Sequence, residues 1–455
     1  MTTPRHAEHV CTECGAATPR WMGRCPACGS WGTLILSAPG EIAAAAAPSM
    51  QVPVPRSLVE LLDTPTVERL ATGLPELDRA LGGGLVPGSV VLVGGEPGIG
   101  KSTLLLQAAD RAARDVSVLY VTAEESLAQL ARRARRIGVE ASNLRSIAET
   151  DLERVCAAAE RARPRLLVVD SVQTLRDPAL AAAAGSVTQV RRAAERLIEL
   201  ARRDGPAVVL VGHVTKDGGL AGPKLLEHVV DAVLSFEGDD RAALRIVRCT
   251  KNRFGAVDEV GVFEMTGSGL VDARDVSAGL LAARVPGATG SAVAAVREGR
   301  RTLLVEVQAL TVSCSSAVPR RNVVGVDAAR VALVCAVLER WGGVVLGASD
   351  VFVQLVGGLR ACDPAVDLAV AVAIASTHAG RAVPVNVAWL GEIGLCGDLR
   401  GVAGLDARAA EAARLGFARC VVPASAASGQ REASGAIEVV RVARVSDALA
   451  LARGA

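Results

Sequence analysis

The chain has 455 residues, half of them hydrophobic, and a formal net charge of +2. That length exceeds one ordinary core and predicts about three domains. The near-neutral balance excludes a simple polybasic nucleic-acid binder, leaving room only for a local basic channel. No apolar stretch reaches about 18 residues and no leader-like apolar segment opens the sequence, so a cytoplasmic protein with no membrane contact is expected. Aromatic residues make up only 2%, so the cores must be built from Ala, Val and Leu.

Residues 1–36 hold the first unit. Cys11, Cys14, Cys25 and Cys28 form two C-x-x-C pairs, each followed by a glycine, Gly15 or Gly29. Four thiolates at this spacing close a tetrahedron around Zn²⁺ with no position left for water, so a structural zinc site is predicted. A redox dithiol would need only one pair beside a helix. His6 and His9 read as tail residues. The remaining cysteines are scattered through apolar segments, as small buried hydrophobes are in a reducing compartment. Residues 37–56, rich in Ala and Pro, read as a linker.

From 57 to about 272 the pattern is α/β. Apolar runs at 90–93, 116–122, 166–170 and 207–212 alternate with helical runs at 127–137, 151–163 and 187–203. This predicts a parallel sheet covered by helices on both faces. Further strands are expected near 232–236, 243–251 and 259–264.

Within this segment Gly95-Glu96-Pro97-Gly98-Ile99-Gly100-Lys101-Ser102 matches G-x-x-x-x-G-K-[ST], after a strand and before a helix. Glycine backbone amides and a helix N-terminus cradle phosphate there. Lys101 is expected on the β- and γ-phosphates of ATP, and the Ser102 hydroxyl on Mg²⁺. The apolar run 166–170 ends in Asp170, placed to support the metal's water shell. The strand 118–122 leads into Glu124 and Glu125; strand carboxyl ends are where such sheets bind ligands. Glu124 is the candidate for activating water, with Glu125 as the substitute. His213, at another strand end, is a weaker candidate as a sensor of the γ-phosphate, and the glycine-rich loop 214–224 with its two lysines suits phosphate-backbone contact or an ordinary surface loop.

Lys251-Asn252-Arg253-Phe254-Gly255 puts two cations and an aromatic at a strand exit. In ring ATPases such groups reach a neighbour's γ-phosphate; the rival is a solvated basic turn. Arg132, Arg133, Arg135 and Arg136 read as a solvated helix face. A break at 273–289 precedes an α+β unit, 290–455. It is expected to have strands at 291–297 and 302–310, helices at 327–341, 367–379 and 405–415, a strand pair around 388–400 and a strand at 419–422.

The finger cysteines, the phosphate loop, Lys251 to Gly255, and the run Gly212-His213-Val214-Thr215-Lys216-Asp217-Gly218 together resemble the bacterial RadA (Sms) family of RecA-like recombination ATPases. The resemblance covers nearly the whole chain. It implies a RecA-like core, an N-terminal zinc finger and a C-terminal domain like the Lon protease. It further implies a homo-hexamer that encircles single-stranded DNA and extends branched DNA intermediates by ATP-driven translocation, working with the RecA recombinase. On that basis Lys101, Ser102 and Thr103 bind nucleotide and Mg²⁺, Glu124 activates water, Asp170 supports the metal, and Lys251 and Arg253 act across the subunit boundary. The loops 173–190 and 214–224 would face DNA. The alternative is an ATP-dependent Lon-like peptidase. That chemistry needs a Ser nucleophile and a Lys base, and here Ala365 and Asp406 stand at the matching positions, so the domain is expected to be proteolytically inert.

Overall fold

A computed structural model of the protein describes residues 8–13, 16–37, 57, 68–213, 226–238, 244–257, 259–273, 275–314, 319–425 and 437–454. The chain divides into two compact units. The first comprises Met1–Glu237, Val247–Val257 and Gly267–Leu270; the second comprises Gly238–Ile246, Asp258–Thr266 and Val271–Ala455. Among the described residues no helix is long and apolar enough to cross a membrane.

The N-terminal segment is a three-stranded antiparallel sheet in the order β2-β1-β3, formed by β1 (Glu8–Cys11), β2 (Ala17–Thr18) and β3 (Leu34–Ser37). Its core is small: Cys11, Cys25 and Leu34. Such a core cannot hold a fold of this size without a further crosslink. His9 lies inside β1, paired with Thr18, and so belongs to the sheet rather than to a tail.

In chain order the rest of the first unit begins with α1 (Pro75–Ala80), β4 (Val90–Gly95), α2 (Lys101–Ala112), β5 (Val118–Thr122) and α3 (Leu127–Ile137). It continues with β6 (Leu144–Ala148), α4 (Leu152–Ala162), β7 (Leu166–Asp170), α5 (Val187–Asp204), β8 (Ala207–His213) and β9 (Ala232–Glu237). Six strands run parallel in the order β9-β4-β8-β7-β5-β6. Alternate residues serve opposite faces. Val90, Leu92, Leu167, Val169, Val208 and Leu210 enter one core with α4 and α5. Val91, Val93, Leu166, Val168 and Val209 face Leu77 of α1 and Leu105 and Ala109 of α2. Burial on both faces is why these strands read as unbroken apolar runs. β6 was not anticipated: its Leu-Arg-Ser-Ile-Ala sequence lies at the sheet edge, half-buried at best.

Between β9 and β13 in sequence lie β10 (Leu244–Asn252), β11 (Val260–Thr266), β12 (Gly269–Asp272) and α6 (Val276–Leu281). The second unit has a seven-stranded mixed sheet, β15-β16-β14-β13-β17-β20-β21. Its strands are β13 (Ser291–Glu298), β14 (Arg301–Ser313), β15 (Arg321–Val324), β16 (Ser349–Leu355), β17 (Val387–Trp389), β20 (Arg419–Pro423) and β21 (Glu438–Val442). Ala292, Ala294 and Val296 of β13 face a core shared with α7 (Ala328–Val337) and α8 (Asp367–Ala379). Val293 and Ala295 face Ala409 and Ala412 of α9 (Leu405–Arg414). α8 is buried from Asp367 through Ser376 and apolar on every side between them, the behaviour of a core helix. The strand pair expected around 388–400 is divided: β17 joins the large sheet, while β18 (Glu392–Ile393) and β19 (Leu399–Arg400) form a separate antiparallel pair. β16 was missed although Val351, Val353 and Leu355 alternate inward, a period of two present in the sequence.

Candidate active site

The parallel strands bring distant residues to one edge. Register pairs Gly95 at the end of β4 with His213 at the end of β8, and Thr122 at the end of β5 with Asp170 at the end of β7. The phosphate loop, Glu124 and Asp170 therefore share the carboxyl edge of the sheet, where α/β folds bind ligands. The side chain of His213 and the loop 214–224 lie outside the described residues.

Gly100 caps α2 with φ +117° and contributes no side chain to the cap, and the first turn holds no acidic residue. Helices α3 and α4, by contrast, are capped by Ser126 and Asp151. The first amides of α2 thus keep their donor capacity and their positive potential for an anion. Glu96, Pro97 and Gly98 are exposed, Ile99 anchors the loop in the core, and Ser102 and Thr103 are half-buried on the first turn of α2. Gly95 is obligatory: a Cβ there would sit 2.7 Å from the Phe236 carbonyl oxygen. Lys101 is only 3% exposed, and its Nζ donates to the carbonyls of Gly95 and Glu96, both at 2.8 Å. Burial pushes the Lys101 ammonium down to about 8, against the pull of Asp170 and Glu124. A buried cation beside uncapped helix amides and two carboxylates fits a nucleotide phosphate with its divalent metal.

A pH dependence follows. Below about pH 8 Lys101 is already charged. Above it the free protein loses that proton, and a bound phosphate restores it. Titration calorimetry with MgADP in buffers of different ionisation enthalpy should show uptake approaching about one proton at pH 9 and little at pH 7, with affinity falling as pH rises through 8. Equal heats across buffers at pH 9 would contradict this.

Glu124 sits in a fixed turn. The Thr122 hydroxyl accepts from Glu125 N and donates to Glu125 O, at 3.2 and 2.9 Å. Ser126 and Gln129 form a reciprocal capping box, and Ala123 N donates to Asp170 O at 2.7 Å. The Ser171 hydroxyl donates to the Glu124 carboxylate. Glu125 instead pairs with Arg133, leaving Glu124 as the carboxylate held against Ser171. Arg133 departs from the expected solvated face: it is about one-fifth exposed, and its Nη1 lies 3.9 Å from Asp170 Oδ2. The hydroxyl of Tyr120 donates to the same Oδ2 at 2.7 Å. Neither contact was read from the sequence.

Lys251 and Arg253 occupy the other edge. Asp231 N bonds to Val90 O, and its carboxylate accepts from Val90 N and from Arg253, at 3.0 and 3.1 Å. Val90 begins β4, whereas Gly95 ends it, so five residue steps of about 3.3 Å, roughly 16 Å, separate the two edges. Lys251 Nζ donates to the carbonyls of Glu227, His228 and Val230. Asn252 ties the turn to Leu81 O, and Arg69 donates to Phe254 O. The side chain of Arg253 is about half exposed, as is Phe254.

In the finger, the sulfurs of Cys11, Cys25 and Cys28 lie within 4.8 Å of one another. The Cys11–Cys28 separation is 3.7 Å, close to the edge of about 3.8 Å of a tetrahedron with 2.3 Å Zn–S bonds. The donor set fits zinc. Cys14 lies outside the described residues.

Residues 9–35 match the family model of the rubredoxin metal binding domain, 55–219 that of the AAA domain, and 310–426 that of subunit ChlI of Mg-chelatase. The DNA repair protein RadA of Bacillus subtilis is 43% identical over 98% of this chain and 99% of its own length. The RadA proteins of Pseudomonas aeruginosa and Escherichia coli are 45% and 43% identical over 96% and 97% of the chain, covering 97% of each relative. The chain belongs to the RadA family. Its core is accordingly an AAA/RecA-like nucleotide-binding domain, preceded by a zinc ribbon. Among solved structures, the RadB recombinase aligns with 45% of the chain and all of its own, at 25% identity and a TM-score of 0.37.

In this RadA-family chain Ala365 is fully buried and offers only a methyl group. Beside it Asp363 accepts from Ala365 N, Arg297 N and Arg408 Nη1, at 3.0, 2.7 and 2.7 Å. Arg408 is itself buried and also donates to Ala403 O and Ala295 O. This buried ion pair ties the segment before Ala365 to α9; removing one partner would strand a buried charge.

Proposed function

We propose that this protein is a DNA-dependent ATPase of recombinational repair. It works as a homo-hexamer that translocates on single-stranded DNA and promotes branch migration of recombination intermediates with the RecA recombinase. Three domains go with this reading: a zinc finger at 1–36, an ATPase domain at 57–272 and a proteolytically inactive Lon-like domain at 290–455, joined by linkers at 37–56 and 273–289.

The observation that carries the reading is the separation of Lys251 and Arg253 from the phosphate loop of the same chain. Two cations fixed on the opposite sheet edge cannot serve their own site, but they can complete a neighbour's. Lys101 and the α2 amides would bind the β- and γ-phosphates, Ser102 would hold a magnesium ion with Asp170 supporting its water shell, and Glu124 would take the proton of the attacking water. Bound magnesium supplies charge neutralisation of the phosphate oxygens. Within the segment 173–190, residues 175–186 form the loop before α5, and this loop is suited to DNA contact. Gln189, 1% exposed, accepts from Asp177 N and donates to the carbonyls of Asp177, Leu180 and Ala182, so the loop tip is presented from a rigid base.

The test is ATP hydrolysis with and without single-stranded DNA, run beside casein digestion. DNA-stimulated turnover without proteolysis is expected. Turnover indifferent to DNA would overturn the motor reading, and casein cleavage would favour the peptidase.

A further inference from the structure

The chain contains one tyrosine, in a sequence with few aromatics of any kind. Tyr120 lies in the middle of β5 and is fully buried. A buried hydroxyl costs free energy unless it is bonded, and phenylalanine would fill the same volume without that requirement. The bond it makes goes to Asp170 Oδ2 at 2.7 Å. Register pairs Tyr120 with Val168, so Asp170 is its diagonal neighbour on the adjacent strand, within reach of an aromatic side chain. Arg133 Nη1 approaches the same oxygen at 3.9 Å. Asp170 is 7% exposed, so a charge-assisted hydrogen bond to it is little weakened by water.

We propose that the Tyr120 hydroxyl positions Asp170 for the magnesium ion, occupying Oδ2 so that Oδ1 is presented to the metal's water shell. This rests on the reading of the carboxyl edge as a magnesium-nucleotide site. Tyr120 acts through Asp170 and is a positioning residue. Outer groups that orient a ligating carboxylate typically change metal affinity about 10–100-fold when removed.

The test uses the full chain and a fluorescent ADP analogue titrated with Mg²⁺. Tyr120→Phe should raise the Mg²⁺ concentration for half-maximal tightening of nucleotide binding by about tenfold, while metal-free nucleotide affinity stays at the wild-type value. An unmoved midpoint overturns the assignment. So does an equal loss of metal-free affinity, which would mark a packing role. A second measurement needs no variant. Ultraviolet resonance Raman bands of the single tyrosine should shift when Mg²⁺ is added to the ADP-bound wild-type protein, because the metal draws charge from the acceptor of its hydrogen bond; unchanged bands overturn the proposal. If the wild type binds no nucleotide, the site reading falls and the Tyr120 assignment with it.

Discussion

Replacing Glu124 with glutamine should lower the ATP turnover number by about 10²–10⁴-fold, the usual contribution of a positioned base. Nucleotide affinity should hardly change. Glutamine keeps the shape of the side chain and an oxygen that can still accept from Ser171, whose hydroxyl bonds to the Glu124 carboxylate. What is lost is the capacity to take a proton from water. Single-turnover hydrolysis beside binding of a fluorescent ADP analogue separates the two quantities. Glu125→Gln provides the contrast. Its carboxylate is committed to Arg133, so its loss should disturb the site without removing the base. If Glu124→Gln keeps turnover within about tenfold of wild type while Glu125→Gln abolishes it, the two roles are exchanged.

Arg253→Ala should cost about 10³-fold or more in DNA-stimulated turnover, the scale of an arginine supplied to a phosphoryl-transfer site. Its own chain's nucleotide affinity should survive, because Arg253 sits at the start of β4 and the phosphate loop at its end. A mixing experiment distinguishes action within a chain from action between chains. Arg253→Ala and Glu124→Gln proteins, each inactive alone, are combined in equal amounts and allowed to exchange subunits. A site is competent when Glu124 comes from one copy and Arg253 from the next, which random assembly supplies at about one site in four. Recovery toward a quarter of wild-type activity supports transfer between chains. No recovery after demonstrated exchange shows that the arginine acts inside its own subunit.

The sequence made some parts of this site plain and hid others, for physical reasons. The strand carrying the phosphate loop is buried on both faces, so composition alone marks it. Asp170 ends such a strand and Glu124 follows one, and their convergence needs only parallel register. Arg133 was concealed because Arg132, Arg135 and Arg136 surround it on a helix that buries only Leu130 outright. One arginine turned toward the sheet looks, in sequence, like three that do not. Tyr120 was hidden for the opposite reason: a tyrosine inside an apolar run reads as packing, and only the third dimension shows where its hydroxyl goes. β6 escaped because an edge strand buries too little to impose a pattern, and the division of the 388–400 segment between two sheets depends on tertiary pairing.

With Arg253 assigned to a neighbour's site, as proposed, the placement of Asp231 and Arg253 at one end of β4 and the phosphate loop at the other would give each protomer a giving side and a receiving side. Two copies related by a twofold axis would present like surface to like, matching neither giver to receiver. Protomers stacked head to tail in an open row would complete every catalytic centre except the last, which would idle with its fuel unspent. Circular closure is the arrangement that leaves no such terminal member.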